Sequence, residues 1–161
     1  MKVIEWLDER VKIIDQTRLP REEVYLEFDH YQDIASAITE LKIRGAPAIG
    51  VASAYAIALG ALKLEFTTRD EFLDKIRSIG RYLAATRPTA RNLFQVIERM
   101  LKVAESGKDA AHIKKALVTE VIKSHNESYE ADQNLSRLGA ELIGDGFNIL
   151  THCNTGPLAT A

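Results

Sequence analysis

Gly45-Ala-Pro-Ala-Ile-Gly-Val-Ala-Ser-Ala-Tyr-Ala-Ile-Ala-Leu-Gly-Ala-Leu62 decides the fold, because it runs without a single charge. Its length nominally reaches that of a membrane span. Seven of its residues are alanine, however, and it opens with Gly45 and Pro47. Proline suits the first helical position, and a helix apolar all round belongs in a protein interior. The stretch therefore reads as a helix running to about Leu64, buried and packed closely on its neighbours.

Upstream, Val3-Ile-Glu-Trp6 and Val11-Lys-Ile-Ile14 read as short strands joined by a polar turn at Asp8-Glu9. Val24-Tyr-Leu-Glu-Phe28 alternates as a third strand. From Asp33 the period becomes helical, with Ile34, Ala37, Ile38 and Leu41 on one apolar face. Downstream, Asp70 starts a helix with Phe72, Leu73, Ile76, Ile79 and Leu83 at core spacing. Thr89 is placed to cap the next, which carries Leu93, Val96, Ile97, Met100 and Leu101 and ends at Gly107. A long helical pattern follows from about Asp109 to Ile143, with a kink expected in its polar middle, Ser124 to Asn134. Gly144 and Gly146 stop it, and Phe147 to Leu150 reads as one more strand.

The expected class is α+β and mostly helical. Residues 1–30 form a small antiparallel sheet and 31–145 a helical bundle, together one N-terminal domain. Residues 146–161 read as the start of a truncated C-terminal Rossmann-like domain, because the strand at 147–150 has no obvious sheet to join.

The 161 residues are 46% apolar and 27% charged, ordinary for a soluble globular protein. A net charge of −2 makes no electrostatic case for nucleic acid or an anionic membrane. One cysteine excludes an internal disulfide and fits a reducing cytoplasm. Met1-Lys2 leads directly into strand-like alternation, so no signal peptide is expected. His30, His112 and His125 show no ligand spacing, and no metal site is expected.

Three segments carry chemistry. In Arg44-Gly45-Ala46-Pro47, glycine lets a ligand approach the main chain, and the following helix start presents free N–H groups. Arg44 adds a fork of donors, giving an anion site suited to phosphate. Taken alone, the same four residues also describe a helical corner with a solvated arginine. Arg87-Pro88-Thr89 repeats the logic: the residue before proline is held extended, which throws Arg87 toward the next helix start. The third segment is Phe147-Asn-Ile-Leu-Thr-His-Cys-Asn-Thr-Gly-Pro157. It sets the lone thiol, Cys153, at a strand exit facing a helix start, an environment that stabilises a thiolate. Its neighbours His152, Asn154, Thr155 and Gly156 are not core residues. His152 alternates away from it on a strand end, which argues against a Cys–His pair.

Ile43-Arg-Gly-Ala-Pro-Ala-Ile-Gly50, Arg87-Pro-Thr-Ala90 and Leu150-Thr-His-Cys-Asn-Thr-Gly156 together resemble the signatures of the methylthioribose-1-phosphate isomerase family. Asp15-Gln-Thr-Arg-Leu-Pro20 and the spacing Asp132, Asn134, Arg137, Gly139 are similar to that family as well. The wider family includes ribose-1,5-bisphosphate isomerases and the non-catalytic regulatory subunits of translation initiation factor two-B. Ala-Pro-Ala-Ile-Gly after Arg44-Gly45 favours the methylthioribose branch.

The resemblance implies an aldose–ketose isomerase of methionine salvage, acting on a small sugar phosphate without cofactor or metal. It implies a cytoplasmic homodimer in the full-length protein. Carried onto matching positions, Arg44, Gly45, Ala46 and Arg87 hold the substrate, and Cys153 is the catalytic thiol. The family's catalytic aspartate falls beyond Ala161, so the chain alone is expected to be inactive. Because the substrate's anomeric oxygen is phosphorylated, its ring must open with phosphate attached before hydrogen moves from C2 to C1. A proton shuttle and a direct hydride shift both fit, and both need a clamped phosphate and excluded water.

Overall fold

The computed structural model describes residues 2–153 and 155–160, so Asn154 lies outside the described residues. The N-terminal alternation forms β1 (Ile4–Leu7), β2 (Arg10–Ile14) and β3 (Tyr25–Phe28), an antiparallel sheet in that order. Asp8 and Glu9 take φ of 36° and 65°, the positive values that a two-residue hairpin of right-handed twist requires. Ile4 faces Ile13 and Trp6 faces Val11 across the first pair. Period-two alternation puts these four on one face, with Ile4, Val11 and Ile13 buried.

α1 (Tyr31–Thr39) buries Ile34, Ala35, Ala37 and Ile38. Leu41, expected on that face, is exposed instead. The helix ends two residues earlier, and Leu41 turns left-handed at φ 62°. Leu41 N–H donates to the Ile38 carbonyl and Lys42 N–H to the Ala37 carbonyl, the paired bonds of a Schellman stop. The reversal carries Ile43 inward to the core position that periodicity assigned to Leu41.

α2 (Ala46–Lys63) is the uncharged stretch, and every residue from Ala48 to Ala61 is buried. By length and composition it is apolar enough to cross a membrane, yet 78% of that window is buried inside the fold. α3 (Arg69–Ala84) starts where the Thr68 side chain accepts the Glu71 N–H, and all five expected core positions are buried. α4 (Arg91–Ser106) begins after Ala90, which has no side-chain cap, so Thr89 does not serve as the expected one. α5 (Ala110–Ala140) is capped by Asp109, whose carboxylate accepts the His112 N–H at 2.8 Å.

α5 is one continuous helix through Ser124 to Asn134, with no interruption where the kink was expected. Those residues include neither proline nor glycine, and a polar helix surface needs no break to stay solvated. Only its first half contributes to the core, through Ile113, Leu117 and Val121. Phe147 to Leu150, expected as a strand, pairs with nothing among the described residues, since a ladder needs a second strand. Phe147, Ile149 and Leu150 are exposed there. The last element is one turn, α6 (Pro157–Thr160).

α2 packs against α1, α3, α4 and α5, and its small residues permit this. A Cβ on Gly60 would stand 2.7 Å from the Ile79 side chain and 3.1 Å from that of Tyr31. Trp6 of the sheet packs on Tyr55 of α2 with ring centroids 5.6 Å apart, which sets the sheet's apolar face on the same helix.

Candidate active site

The start of α2 is where the sequence-marked segments meet. Gly45 is its N-cap, at φ 99° and ψ 132°, a conformation that L side chains rarely adopt. The close approach is made by α6. A Cβ on Gly45 would lie 2.5 Å from the Cα and carbonyl oxygen of Ala159, so only glycine admits this contact. One turn into α2, Gly50 packs on α4 at ordinary contact distance: its Cβ would stand 3.4 Å from the Asn92 carbonyl oxygen. The first turns of α2 and α4 are therefore neighbours, and the Arg44 and Arg87 loops precede those two turns.

No side chain caps either helix start. α3 and α5, by contrast, are closed by Thr68 and Asp109, while α1 opens after His30 without a side-chain cap. The first N–H groups of a helix have no intrahelical partner, so α2 and α4 offer unsatisfied donors. Arg44 and Ala46 are exposed, and Gly45 and Arg87 are half-buried. The Arg87 Nη1 is buried with no hydrogen-bond partner among the described residues. A buried, unpaired guanidinium nitrogen beside uncapped helix starts is a place that an anion would complete.

Cys153 lies on the segment leading to α6, exposed and at φ 61°. The helix it was expected to face is the single turn of α6. That turn brings Ala159 onto Gly45, which links the thiol segment to the Arg44 loop. Among the described residues, no three His, Cys, Asp or Glu side chains come together to hold a metal ion.

The residue that periodicity did not flag is Gln16. It is buried, its N–H donates to the Lys42 carbonyl at 2.9 Å, and its Nε2 donates to the Leu158 carbonyl at 2.8 Å. Asp15 beside it accepts from the Thr17 N–H and hydroxyl at 3.0 and 2.6 Å. The sequence signal available was its place in Asp15-Gln-Thr-Arg-Leu-Pro20, a segment marked by family resemblance.

Comparison with known proteins agrees over the whole chain. The model of the Initiation factor 2 subunit family matches residues 42–160. A methylthioribose-1-phosphate isomerase of Dehalococcoides mccartyi is 53% identical over 161 residues, covering 100% of this chain and 48% of that protein. The isomerase of Geotalea uraniireducens is 50% identical, covering 99% of this chain and 47% of that protein. The crystal structure of 5-methylthioribose 1-phosphate isomerase from Pyrococcus horikoshii superposes with a TM-score of 0.91 at 39% identity, covering 99% of this chain and 45% of that one. That of translation initiation factor eIF-2B, subunit delta, from A. fulgidus gives 0.88 at 41% identity, covering 99% and 47%. The chain thus spans about half the length of the relatives it matches. With more than two thirds of its residues inside the family model and its fold shared with solved relatives, the chain belongs to the Initiation factor 2 subunit family.

Proposed function

We propose that the protein carrying this chain isomerises 5-methylthioribose 1-phosphate to 5-methylthioribulose 1-phosphate in methionine salvage. The observation that carries this reading is the 53% identity, over the full 161 residues, to a relative named for that activity. A cytoplasmic homodimer belongs to the same reading. So does the division into an N-terminal domain, 1–30 with 31–145, and a Rossmann-like domain beginning at 146.

The uncapped starts of α2 and α4 and the unpaired Arg87 Nη1 support the following roles. Arg44 and Arg87 clamp the phosphate, and the free N–H groups at Gly45–Ala46 complete its shell. Holding phosphate fixed while the furanose ring opens keeps C1 and C2 oriented for hydrogen transfer. Cys153, on the segment tied to the same loop, faces the reacting carbons as acid–base or as a stabiliser of the developing charge. The aspartate that completes the chemistry is supplied from beyond this chain.

The test is turnover of 5-methylthioribose 1-phosphate by a full-length protein carrying this chain, beside its Cys153→Ser variant. Turnover that falls about 10²-fold or more in the variant supports the reaction and the thiol's role. The 161-residue chain alone is expected to turn over nothing. A well-folded full-length protein without turnover sinks the reading. It would advance a second one, a regulatory subunit of the initiation-factor type, which the similarity to the A. fulgidus structure favours.

A further inference from the structure

We propose that Gln16 is a positioning residue of this site: its side-chain amide fixes the segment after Cys153 in register with the Arg44–Gly45 loop. The inference rests on the isomerase reading for its functional half. Its structural half stands on the contacts alone.

Residues 15 and 16 are held by their main chain on both sides. Asp15 N–H donates to the Val24 carbonyl at 2.8 Å, which continues the sheet. Gln16 N–H donates to the Lys42 carbonyl, two residues ahead of Arg44. The Asp15 carboxylate is turned back on Thr17, where its hydrogen bonds hold the local turn, and its charge also acts on Lys42. Gln16 alone in this turn reaches across the fold, to the Leu158 carbonyl 142 residues away in sequence. Gln16 is 4% exposed, and a buried primary amide is tolerated only when its hydrogen bonds are made.

The carbonyl it holds is well placed. Leu158 precedes Ala159, whose backbone seats on Gly45. α6 is a single turn, closed by a main-chain bond from the Ala159 N–H to the Gly156 carbonyl. So short a helix has little stability of its own, and its position comes from tertiary contacts. Leu158 also packs against the core, and two contacts among the described residues key the register of the turn: the steric fit of Ala159 on Gly45 and the polar tie of Gln16 to Leu158. Gln16 also binds the main chain that leads into the Arg44 loop. One residue thus bridges the phosphate-binding loop and the thiol segment, and a shift of either would separate Cys153 from the clamped substrate.

The test uses Gln16→Leu and Gln16→Glu in the full-length protein, with hydrogen exchange, thermal melting and steady-state kinetics. Leucine keeps the bulk and removes the donor. Glutamate presents an acceptor to a carbonyl when ionised and a donor when protonated. In Gln16→Leu, the expected result is exchange at least tenfold faster over residues 156–160 with α2 unchanged. The same variant should lose at least tenfold in kcat and less in KM, at a temperature well below its melting point. In Gln16→Glu, kcat should recover toward wild type as pH falls and the carboxyl takes up a proton. Unchanged exchange over 156–160 overturns the tie. Faster exchange with kcat within twofold of wild type overturns the positioning role. If Gln16→Leu fails to fold, the pH profile of Gln16→Glu decides: a profile parallel to wild type overturns the proposal. Absence of turnover in the wild type sinks the isomerase reading instead, and the exchange data still judge the tie.

Discussion

Arg87 and Arg77 are two half-exposed arginines with opposite surroundings. Arg77 bonds Asp74 and Glu105, each at 2.9 Å, and those carboxylates hold its guanidinium firmly charged. Arg87 has a buried nitrogen with no partner among the described residues, an arrangement that costs about 1–3 kcal/mol and more for a charged group. Stability gives no reason to keep it. Arg87→Met is therefore expected to melt at the same temperature as the wild type or higher. On the proposed isomerase reading, it should weaken inhibition of the full-length protein's turnover by inorganic phosphate at least tenfold. A lower melting temperature with unchanged phosphate inhibition contradicts the assignment. The arginine was legible in the sequence because Pro88 fixes the backbone ahead of a helix. Gln16 was legible only through its motif, since its partner lies at the other end of the chain and no local pattern encodes that distance. Leu41 shows the converse: a left-handed stop built on a leucine, where glycine is usual, hid the end of α1 from its periodicity.

Among the elements, α5 is two helices in energetic terms. Its 31 residues extend about 46 Å, yet the buried positions end at Val121. Leu117→Ala should destabilise the fold by about 2–5 kcal/mol, as for a fully buried leucine. Leu135→Ala, at a position 71% exposed, should change stability by no more than about 0.5 kcal/mol. Chemical denaturation of both variants in this chain checks the contrast. Arg99 of α4 fastens the middle of α5 through Glu120 and Glu127. Beyond it lie exposed Tyr129, Leu135, Leu138, Leu142 and Ile143. The sequence showed the helical period here but not which apolar residues are covered. Periodicity reports a face and not the neighbour that meets it; 147–150 was read as a strand with no sheet to join, and among the described residues it pairs with nothing. α2 and α3 were legible almost to the residue, because a helix buried all round and a strongly two-faced helix each admit one packing.

At the scale of the molecule, Tyr55 joins the layers. It packs on Trp6 of the sheet, and its hydroxyl lies 2.6 Å from Nδ1 of His125 on α5. Burial, with the nearby Glu5 carboxylate adding to it, pushes its phenol well above the usual tyrosine range. The folded state then holds the proton longer than the unfolded chain, whose tyrosines ionise at about pH 10. Stability from this group is complete below about pH 10 and is lost as pH climbs from there toward the folded value. Tyr55→Phe should lower stability at neutral pH and flatten that alkaline decline. Urea midpoints between pH 8 and 11 measure it, and an equally steep decline in the variant would assign the effect to other groups.

The Gln16–Leu158 tie has a consequence in time. The two residues are separated by 142 positions, so a ribosome adding about 5–20 residues per second leaves Gln16 waiting roughly 7–30 s for its partner. The sheet and α1 to α4 can pair within that interval, since their contacts lie close in sequence. The Arg44 loop and the segment after Cys153 cannot be joined until the nascent chain has delivered α6. The candidate site is thus the last part of this chain to be assembled on the ribosome, and a stalled or prematurely released product would carry a folded scaffold with these two segments unjoined.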